Sequence, residues 1–337
     1  MLYGVGVIGS MIARFLLEKE GIEIVGAIDV AKDKVGKDLG EVTGTNKLLG
    51  VIISDDTGAV LEKTKPDIVV HTTTSFMEKV YPQLAEIIKQ GVNIVSTCEE
   101  LSYPYASAPR LAQTLDELAK KHDVTILGTG INPGFLMDTL AIALTAPCQK
   151  IDNIKIMRVM NAATRRVPFQ KKIGAGLSVE EFKEKIRMKV ISGHVGLEQS
   201  IAMIAAALAW ELDAIRVDAV EPVVAMKPVK SSAINVAAGM VTGLKQCAYG
   251  IRKGHEVISL EFQAYIGAEE EYDTITINGV PPINEKISPC VHGDIGTIAM
   301  VYNAIPKVLN AEAGLVTMKD LPVPSAAVED IRKYIKL

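Results

Sequence analysis

The feature that most limits what this chain can fold into lies in its first ten residues, MLYGVGVIGS. Gly4, Gly6 and Gly9 form a G-x-G-x-x-G, and Asp29 follows Gly9 by twenty positions. Each part has a physical task where a strand hands over to a helix beside a dinucleotide. Gly4 permits the tight turn out of the strand, and Gly6 lets the backbone approach a pyrophosphate. Gly9 allows close helix–strand packing. The backbone of Val5, Val7 and Ile8 completes the loop, and the helix N-terminus offers free N–H groups to phosphates. Asp29 ends the apolar run Ile22–Ile28, where a second strand sets a carboxylate beside the adenosine ribose. Glycine triplet, helix (Met11–Glu18) and acidic strand end together predict a nicotinamide cofactor, NAD or NADP. A plain glycine turn leaves Asp29 unexplained. Only Met1, Leu2 and Tyr3 precede Gly4, so the first strand is short or the given start lies downstream of the true one.

A length of 337 residues accommodates two domains with proper cores. The net charge of −4, and a densest basic cluster of only Arg165–Arg166 with Lys171–Lys172, argue against nucleic-acid binding. Cys98, Cys148, Cys247 and Cys290 are scattered without C-x-x-C or paired His spacing, which argues against a zinc site and a disulfide framework. A reducing, cytoplasmic setting fits that usage. The N-terminus runs straight into the glycine motif, leaving no room for a signal peptide. The longest apolar helix, Ile201–Trp210, is far short of a membrane span. The expectation is a soluble protein without metal.

Residues 1–130 alternate strand and helix patterns. Apolar runs Ile22–Ile28, Leu48–Ile53, Ile68–His71, Val92–Thr97 and Val124–Leu127 read as buried parallel strands. Helices Met11–Lys19, Phe76–Gln90 and Ala108–His122 lie between them. Right-handed βαβ units of this kind give a doubly wound, Rossmann-type α/β sheet, whose ligands bind beyond the carboxyl ends of the strands. After residue 150 the pattern changes. Ile151–Met160, Val217–Met226, Val241–Ile251, Glu256–Ile266 and Tyr272–Ile277 read as strands, with a hairpin signal at Lys253-Gly254. Ser178 and Glu181 form a capping box for a helix Val179–Ile191, and Gly196–Leu212 is a second helix. This half reads as an α+β domain on a mainly antiparallel sheet. The amphipathic helix Ile295–Leu309 is expected to return to the first domain. The predicted domains are therefore 1–148, 149–290 and a returning segment 291–337. Apolar alternation in Val257–Ile266 predicts a homodimer through residues 215–280.

The strand-end rule selects the groups that carry chemistry. His71–Ser75 (HTTTS) offers the hydroxyls of Thr72, Thr73 and Thr74 to a nicotinamide ribose. Glu99 and Glu100 follow the next strand, and on an extended chain only one of two neighbours enters a cleft. Asn132-Pro133-Gly134 opens a predicted helix Phe135–Ala146, with Asn132 facing the nicotinamide or the substrate and Pro133 and Gly134 lining the substrate. Arg165 and Arg166 suit a substrate carboxylate through the guanidinium fork. His194 is a candidate for substrate polar groups. Asp294 and Asn303 on the returning helix complete the set.

Four stretches narrow the reading: STCEELSY (96–103), GTGINPGFLMD (128–138), NAATRRVPFQKKIGAG (161–176) and HGDIGTIAMVYN (292–303). Together they resemble the family of 2,4-diaminopentanoate dehydrogenases and related amine dehydrogenases. More broadly they resemble the dihydrodipicolinate reductase-like and diaminopimelate dehydrogenase-like enzymes. The resemblance implies NAD(P)-dependent oxidative deamination of 2,4-diaminopentanoate at C4, a step of ornithine degradation. It also implies Glu100, ahead of Glu99, as the catalytic carboxylate, because the broader relatives carry a functional charged residue at the matching place. The alternatives are an amine dehydrogenase on simple amines, a homoserine dehydrogenase or dihydrodipicolinate reductase, and a nucleotide-binding regulatory protein without catalysis. Glu100 where homoserine dehydrogenases are expected to carry Lys, and the lack of a His-His pair, disfavour the middle two. Asp29 favours NAD, while Lys32 and Lys34 soften its repulsion of a 2′-phosphate and admit NADP.

Overall fold

A seven-stranded parallel sheet forms the first layer, and its strand order fixes where a ligand can bind. In spatial order the strands are Gly314–Val316, Thr125–Gly128, Asn93–Ser96, Ile68–His71, Leu2–Tyr3, Ala27–Ile28 and Ile53–Ser54. Winding runs outward in both directions from Leu2–Tyr3, which pairs with Ala27–Ile28 on one side and Ile68–His71 on the other. The crevice at this reversal is the expected nucleotide position of a doubly wound sheet. The computed structural model describes residues 1–45, 47–231 and 233–336.

The chain divides into two compact units, Met1–Phe135 with Gly293–Leu337, and Leu136–His292. The change comes before residue 148. Met137 and Ala141, on and beside the helix Thr139–Leu144, share the second unit's core with Ile201 and Ile204. The first unit's core sets Val69, Ile94 and Ile126 of the sheet against Leu84, Ile87, Ile88 and Leu115 of its helices. The segment after Gly293 completes that unit. Tyr302 of the helix Gly293–Leu309 packs edge-on against Phe15, with ring centroids 5.4 Å apart. Gly314–Val316 then adds a parallel edge strand to Thr125–Gly128.

Two predicted strands are shorter than their apolar runs. Ile22–Ile28 yields only Ala27–Ile28, because the neighbouring strand offers only Leu2 and Tyr3 as ladder partners. Leu48–Ile53 yields Ile53–Ser54, because the Asp38 carboxylate gathers the amides of Gly40, Leu49 and Gly50 at 2.8–3.0 Å and shapes 38–50 as a loop. The helix Thr57–Thr64, capped by Asp56, was not anticipated. Among the described residues no helix is long and apolar enough to cross a membrane.

The second unit's sheet runs Ile283–Ile287, Tyr272–Val280, Lys150–Asn161, His255–Tyr265, Val241–Arg252 and Ala214–Val217, with Glu221–Val224 also on Val241–Arg252. Lys150–Asn161 and His255–Tyr265 are parallel, and the other pairs are antiparallel. Both arms of the Ser178–Glu181 capping box form, at 3.1 and 2.8 Å, and open the helix Val179–Arg187. Lys253 and Gly254 take positive φ of 51° and 75°, as a tight hairpin turn requires. The alternation in 257–266 serves a different purpose from the one predicted. Ile258, Leu260, Phe262, Ala264 and Ile266 point into the unit's own core, against Phe182, Leu197 and Ile201 of the two helices. The face they leave outward is polar and aromatic.

Candidate active site

Two of the three glycines meet a steric demand inside the protein, and the third meets none. Gly4 has φ +95°, and a Cβ there would lie 2.6 Å from the Thr72 carbonyl oxygen. A Cβ on Gly9 would lie 2.0 Å from the Gly4 carbonyl, so only glycine lets the helix Val7–Leu16 pack onto the turn. A Cβ on Gly6 would meet nothing within 4 Å. Nothing in the protein therefore requires glycine at position 6, whereas a pyrophosphate laid against the backbone does. Gly6 is the N-cap and supplies no side-chain cap. The first-turn amides, Val7 and Ile8 among them, have no intrahelical acceptor. This cradle fits a dinucleotide's phosphates.

Asp29 is placed by the second strand beside that loop. Its Oδ2 accepts the Val5 amide at 2.8 Å and Lys34 Nζ at 2.9 Å, and its Oδ1 accepts the Ala31 amide at 2.9 Å. Burial works to raise the carboxyl's pKa. Lys34 and the two amides outweigh it and hold the group below the usual carboxylate range. Asp29 thus ties the glycine loop to the second strand's end. Val5 serves the cradle through this bond, its amide being committed to Asp29.

At the ends of the next two strands lie the threonine loop and the carboxylate pair. Thr72 Oγ1 donates to the Gly4 carbonyl at 2.7 Å, so Thr72 braces the glycine turn. Thr73 Oγ1 donates to Gln83 Oε1 at 2.9 Å, and Thr74 is half-buried in the same loop. Glu99 and Glu100 are not on an extended chain. Glu99 has helical angles and opens a short 3-10 turn, Glu100–Ser102, so the expected opposite orientation of neighbours does not apply. Glu100 Oε2 accepts the Met77 amide at 2.6 Å, capping the helix Met77–Lys89. Phe76, that helix's N-cap residue, offers no side-chain acceptor. The Glu99 carbonyl accepts the Ser102 hydroxyl at 2.7 Å.

The loop after Thr125–Gly128 is built on close backbone approach. Gly134 has φ +123°, and a Cβ there would lie 2.5 Å from the Gly130 amide nitrogen. The Asn132-Pro133 bond is cis, and the helix begins at Thr139 rather than Phe135, with Asp138 as its cap. Pro133 therefore lies in the loop, six residues before the helix starts. Thr297 Oγ1 of the returning helix accepts the Ile131 amide at 3.3 Å. Sequence reasoning missed Thr297; its signal was the HGDIGT stretch. In the same loop the buried hydroxyl of Thr129 has no partner among the described residues. Asn303 lies six residues beyond Thr297, about 9 Å along the helix. Its Oδ1 accepts the Ala327 amide at 2.9 Å, so its side chain fastens the C-terminal segment.

In the second unit, Arg165 is buried, with its guanidinium 4.4 Å from the Phe169 ring centroid. Arg166 is exposed and precedes the helix Val167–Lys172. His194 stacks on Phe262 at 4.4 Å. Burial, with Lys172 and Arg158 adding to it, pushes its pKa down to about 3, so the ring is neutral. Arg158, not foreseen, is fully buried, pairs with Asp273 at 2.5 Å and donates to the Val291 carbonyl. Asp273 accepts the Val291 amide at 2.9 Å, so the pair grips both polar groups of that residue. Among the described residues no group of three or more His, Cys, Asp or Glu could hold a metal ion.

Residues 135–337 match the family model for the 2,4-diaminopentanoate dehydrogenase C-terminal domain, and residues 1–102 match that for the dihydrodipicolinate reductase N-terminus. A curated 2,4-diaminopentanoate dehydrogenase from Acetoanaerobium sticklandii is 37% identical across 99% of this chain and 96% of its own. An amine dehydrogenase from Streptomyces virginiae is 23% identical over 97% and 96%. Among solved structures, the amine dehydrogenase from Mycobacterium smegmatis superposes with a TM-score of 0.83 at 31% identity, covering 97% of each chain.

Proposed function

Because the chain belongs to the 2,4-diaminopentanoate dehydrogenase family, we propose that it oxidatively deaminates 2,4-diaminopentanoate at C4 to 2-amino-4-oxopentanoate and ammonia. The carrying observation is that the likeness to the relative of that name spans both units, at 37% identity over 99% of the chain. A regulatory protein that kept only the nucleotide site would have no reason to match beyond the first unit. The enzyme is a dehydrogenase acting on a CH–NH2 group with a nicotinamide cofactor.

The glycine cradle, Asp29 and the Thr73–Thr74 loop would hold that cofactor, which when bound supplies the hydride acceptor. Oxidation at a carbon bearing an amine leaves a cationic imine that water must then attack. A fixed carboxylate serves three needs in turn: it takes a proton from the ammonium and releases it to solvent, then as the anion stabilises the cation and orients the water. Glu100 fits that role. The Met77 amide at the helix N-terminus holds one of its oxygens in place. Glu99 is its neighbour on the same turn. The Arg165–Arg166 pair is assigned to the substrate carboxylate and His194 to its polar groups. NAD is placed ahead of NADP because Asp29 repels a 2′-phosphate, and Lys34, already paired with Asp29, permits NADP use.

The deciding experiment is a screen for NAD(P)H formation with 2,4-diaminopentanoate, ornithine, homoserine and simple primary amines. Turnover on 2,4-diaminopentanoate with at least a hundredfold lead in kcat/KM is expected. Equal kcat/KM on simple amines would replace this reading with a general amine dehydrogenase, and oxidation of homoserine alone would overturn it.

A further inference from the structure

The loops Thr72–Ser75 and Thr97–Glu100 leave adjacent parallel strands, and both are tied to one buried imidazole. His71 has no exposed surface. Its Nδ1 lies 2.9 Å from Ser96 Oγ, and its Nε2 lies 2.8 Å from Gln83 Oε1 and 3.1 Å from Thr73 Oγ1. The surrounding groups fix the tautomer. Ser96 Oγ accepts the Cys98 amide at 3.1 Å, which leaves its own proton for Nδ1. Gln83 Oε1 only accepts, so Nε2 carries the ring proton, and the Thr73 hydroxyl donates to the same oxygen. The result is a directed chain from the Cys98 amide through Ser96 and His71 to Gln83, where Thr73 also ends.

Two further bonds carry this order outward. The Thr97 amide donates to the His71 carbonyl at 3.0 Å, and the Glu100 amide donates to the Ser75 carbonyl at 3.1 Å. An aliphatic residue at position 71 would fill the volume and leave Ser96, Gln83 and Thr73 without their shared partner. We propose that His71 is a positioning residue for the reaction, setting the spacing between the threonine loop that receives the nicotinamide ribose and the turn that carries Glu100. It touches neither substrate nor cofactor. Burial pushes its pKa down to about 4, with the Gln83 bond opposing, so it works as a neutral link. The proposal rests on the assignment of Glu100 given above.

The two ring nitrogens can be tested apart. In His71→Asn the side-chain amide reaches the Nδ1 position and keeps Ser96, while Gln83 and Thr73 lose their partner. In His71→Gln it reaches the Nε2 position and keeps Gln83, while Ser96 loses its partner. His71→Asn should weaken binding of NADH, measured by its fluorescence in the absence of amine, by about threefold to tenfold. That loss should exceed its loss in kcat. His71→Gln should leave the NADH Kd near wild type and lower kcat by about 10-fold to 100-fold, the cost of a misplaced reacting group. Equal falls in Tm with Kd and kcat unchanged in both variants would overturn the proposal and leave His71 a core residue. Should either variant fail to fold, Gln83→Met and Ser96→Ala remove the same two links singly. They should reproduce the Kd and kcat effects respectively, and wild-type values in both would equally overturn it. Wild-type turnover in Glu100→Gln would refute the carboxylate assignment alone, since the NADH-binding arm reports on His71 without it.

Discussion

Glu100 holds one backbone amide and Asp29 holds two, so charge and scaffold can be separated by substitution. A Gln at position 100 still offers an oxygen to the Met77 amide but carries no charge. Glu100→Gln should therefore keep the wild-type Tm and lose about 10²–10⁴-fold in turnover, the usual cost of removing an acid–base group. Glu100→Ala should lose Tm as well, by the worth of a helix cap. Glu99→Gln should cost far less in turnover, and a collapse there with activity intact in Glu100→Gln would exchange the two roles. At Asp29 the informative partner is Lys34, 2.9 Å away. Lys34→Met leaves the carboxylate's repulsion of a 2′-phosphate uncompensated. NADP affinity by titration calorimetry should fall about tenfold relative to NAD, the loss of one charge-assisted hydrogen bond. An unchanged ratio would remove Lys34 from cofactor choice.

Among the elements, the strand–turn–helix at the N-terminus separates folding from binding most sharply. Gly9→Ala forces a Cβ to 2.0 Å from the Gly4 carbonyl, whereas Gly6→Ala places one in open space at an ordinary φ of −75°. Gly9→Ala should destabilise the fold by about 1–3 kcal/mol in urea unfolding. Gly6→Ala should unfold like the wild type yet bind NADH at least about tenfold more weakly, because the methyl occupies the pyrophosphate's place. The turn was legible in the sequence because Gly9 answers to Gly4, five residues away. The capping box at Ser178 and the Lys253-Gly254 hairpin were legible for the same reason. What escaped depends on partners far away in the chain. The second strand's length follows from the first strand's two residues, and Gly314–Val316 becomes a strand only against Thr125–Gly128. The inward facing of Ile258 and Leu260 follows from the helices Val179–Arg187 and Leu197–Ala207, far earlier in the chain. Glu100 shows the same limit at the site: its position after a strand was readable, but its bond to Met77, across a loop, was not.

For the molecule as a whole, two histidines are held neutral inside, His71 with a pKa of about 4 and His194 of about 3. An unfolded chain takes up protons on both near pH 6.5, while the native protein refuses them until well below. Stability is thus full above pH 6.5 and declines as pH falls from there toward 4. Tm measured from pH 7.5 to 4.5 should drop across that window, and His71→Gln should flatten the drop. A flat Tm in the wild type would show the two rings to be accessible. Helices cover one face of the second sheet, and Met157, Tyr249, Tyr265 and Tyr272 lie half-buried on its strands outside the core cluster. A second copy is proposed to cover the outward face. Sedimentation at micromolar concentration should give a dimer, and Tyr249→Glu should shift it toward monomer; a monomeric wild type would refute the proposal. The return of Gly293–Leu337 to the first unit has a consequence for how the protein is made. The sheet that carries the glycine turn is begun by Leu2–Tyr3, yet its edge strand Gly314–Val316 and the helix Gly293–Leu309 follow the whole second unit in the chain. The intervening unit is continuous in the chain and can finish first, so the glycine turn stays on an incomplete sheet until that unit has been made. A nascent chain stalled before Gly293 should accordingly contain a protease-resistant second unit and no NADH-binding activity.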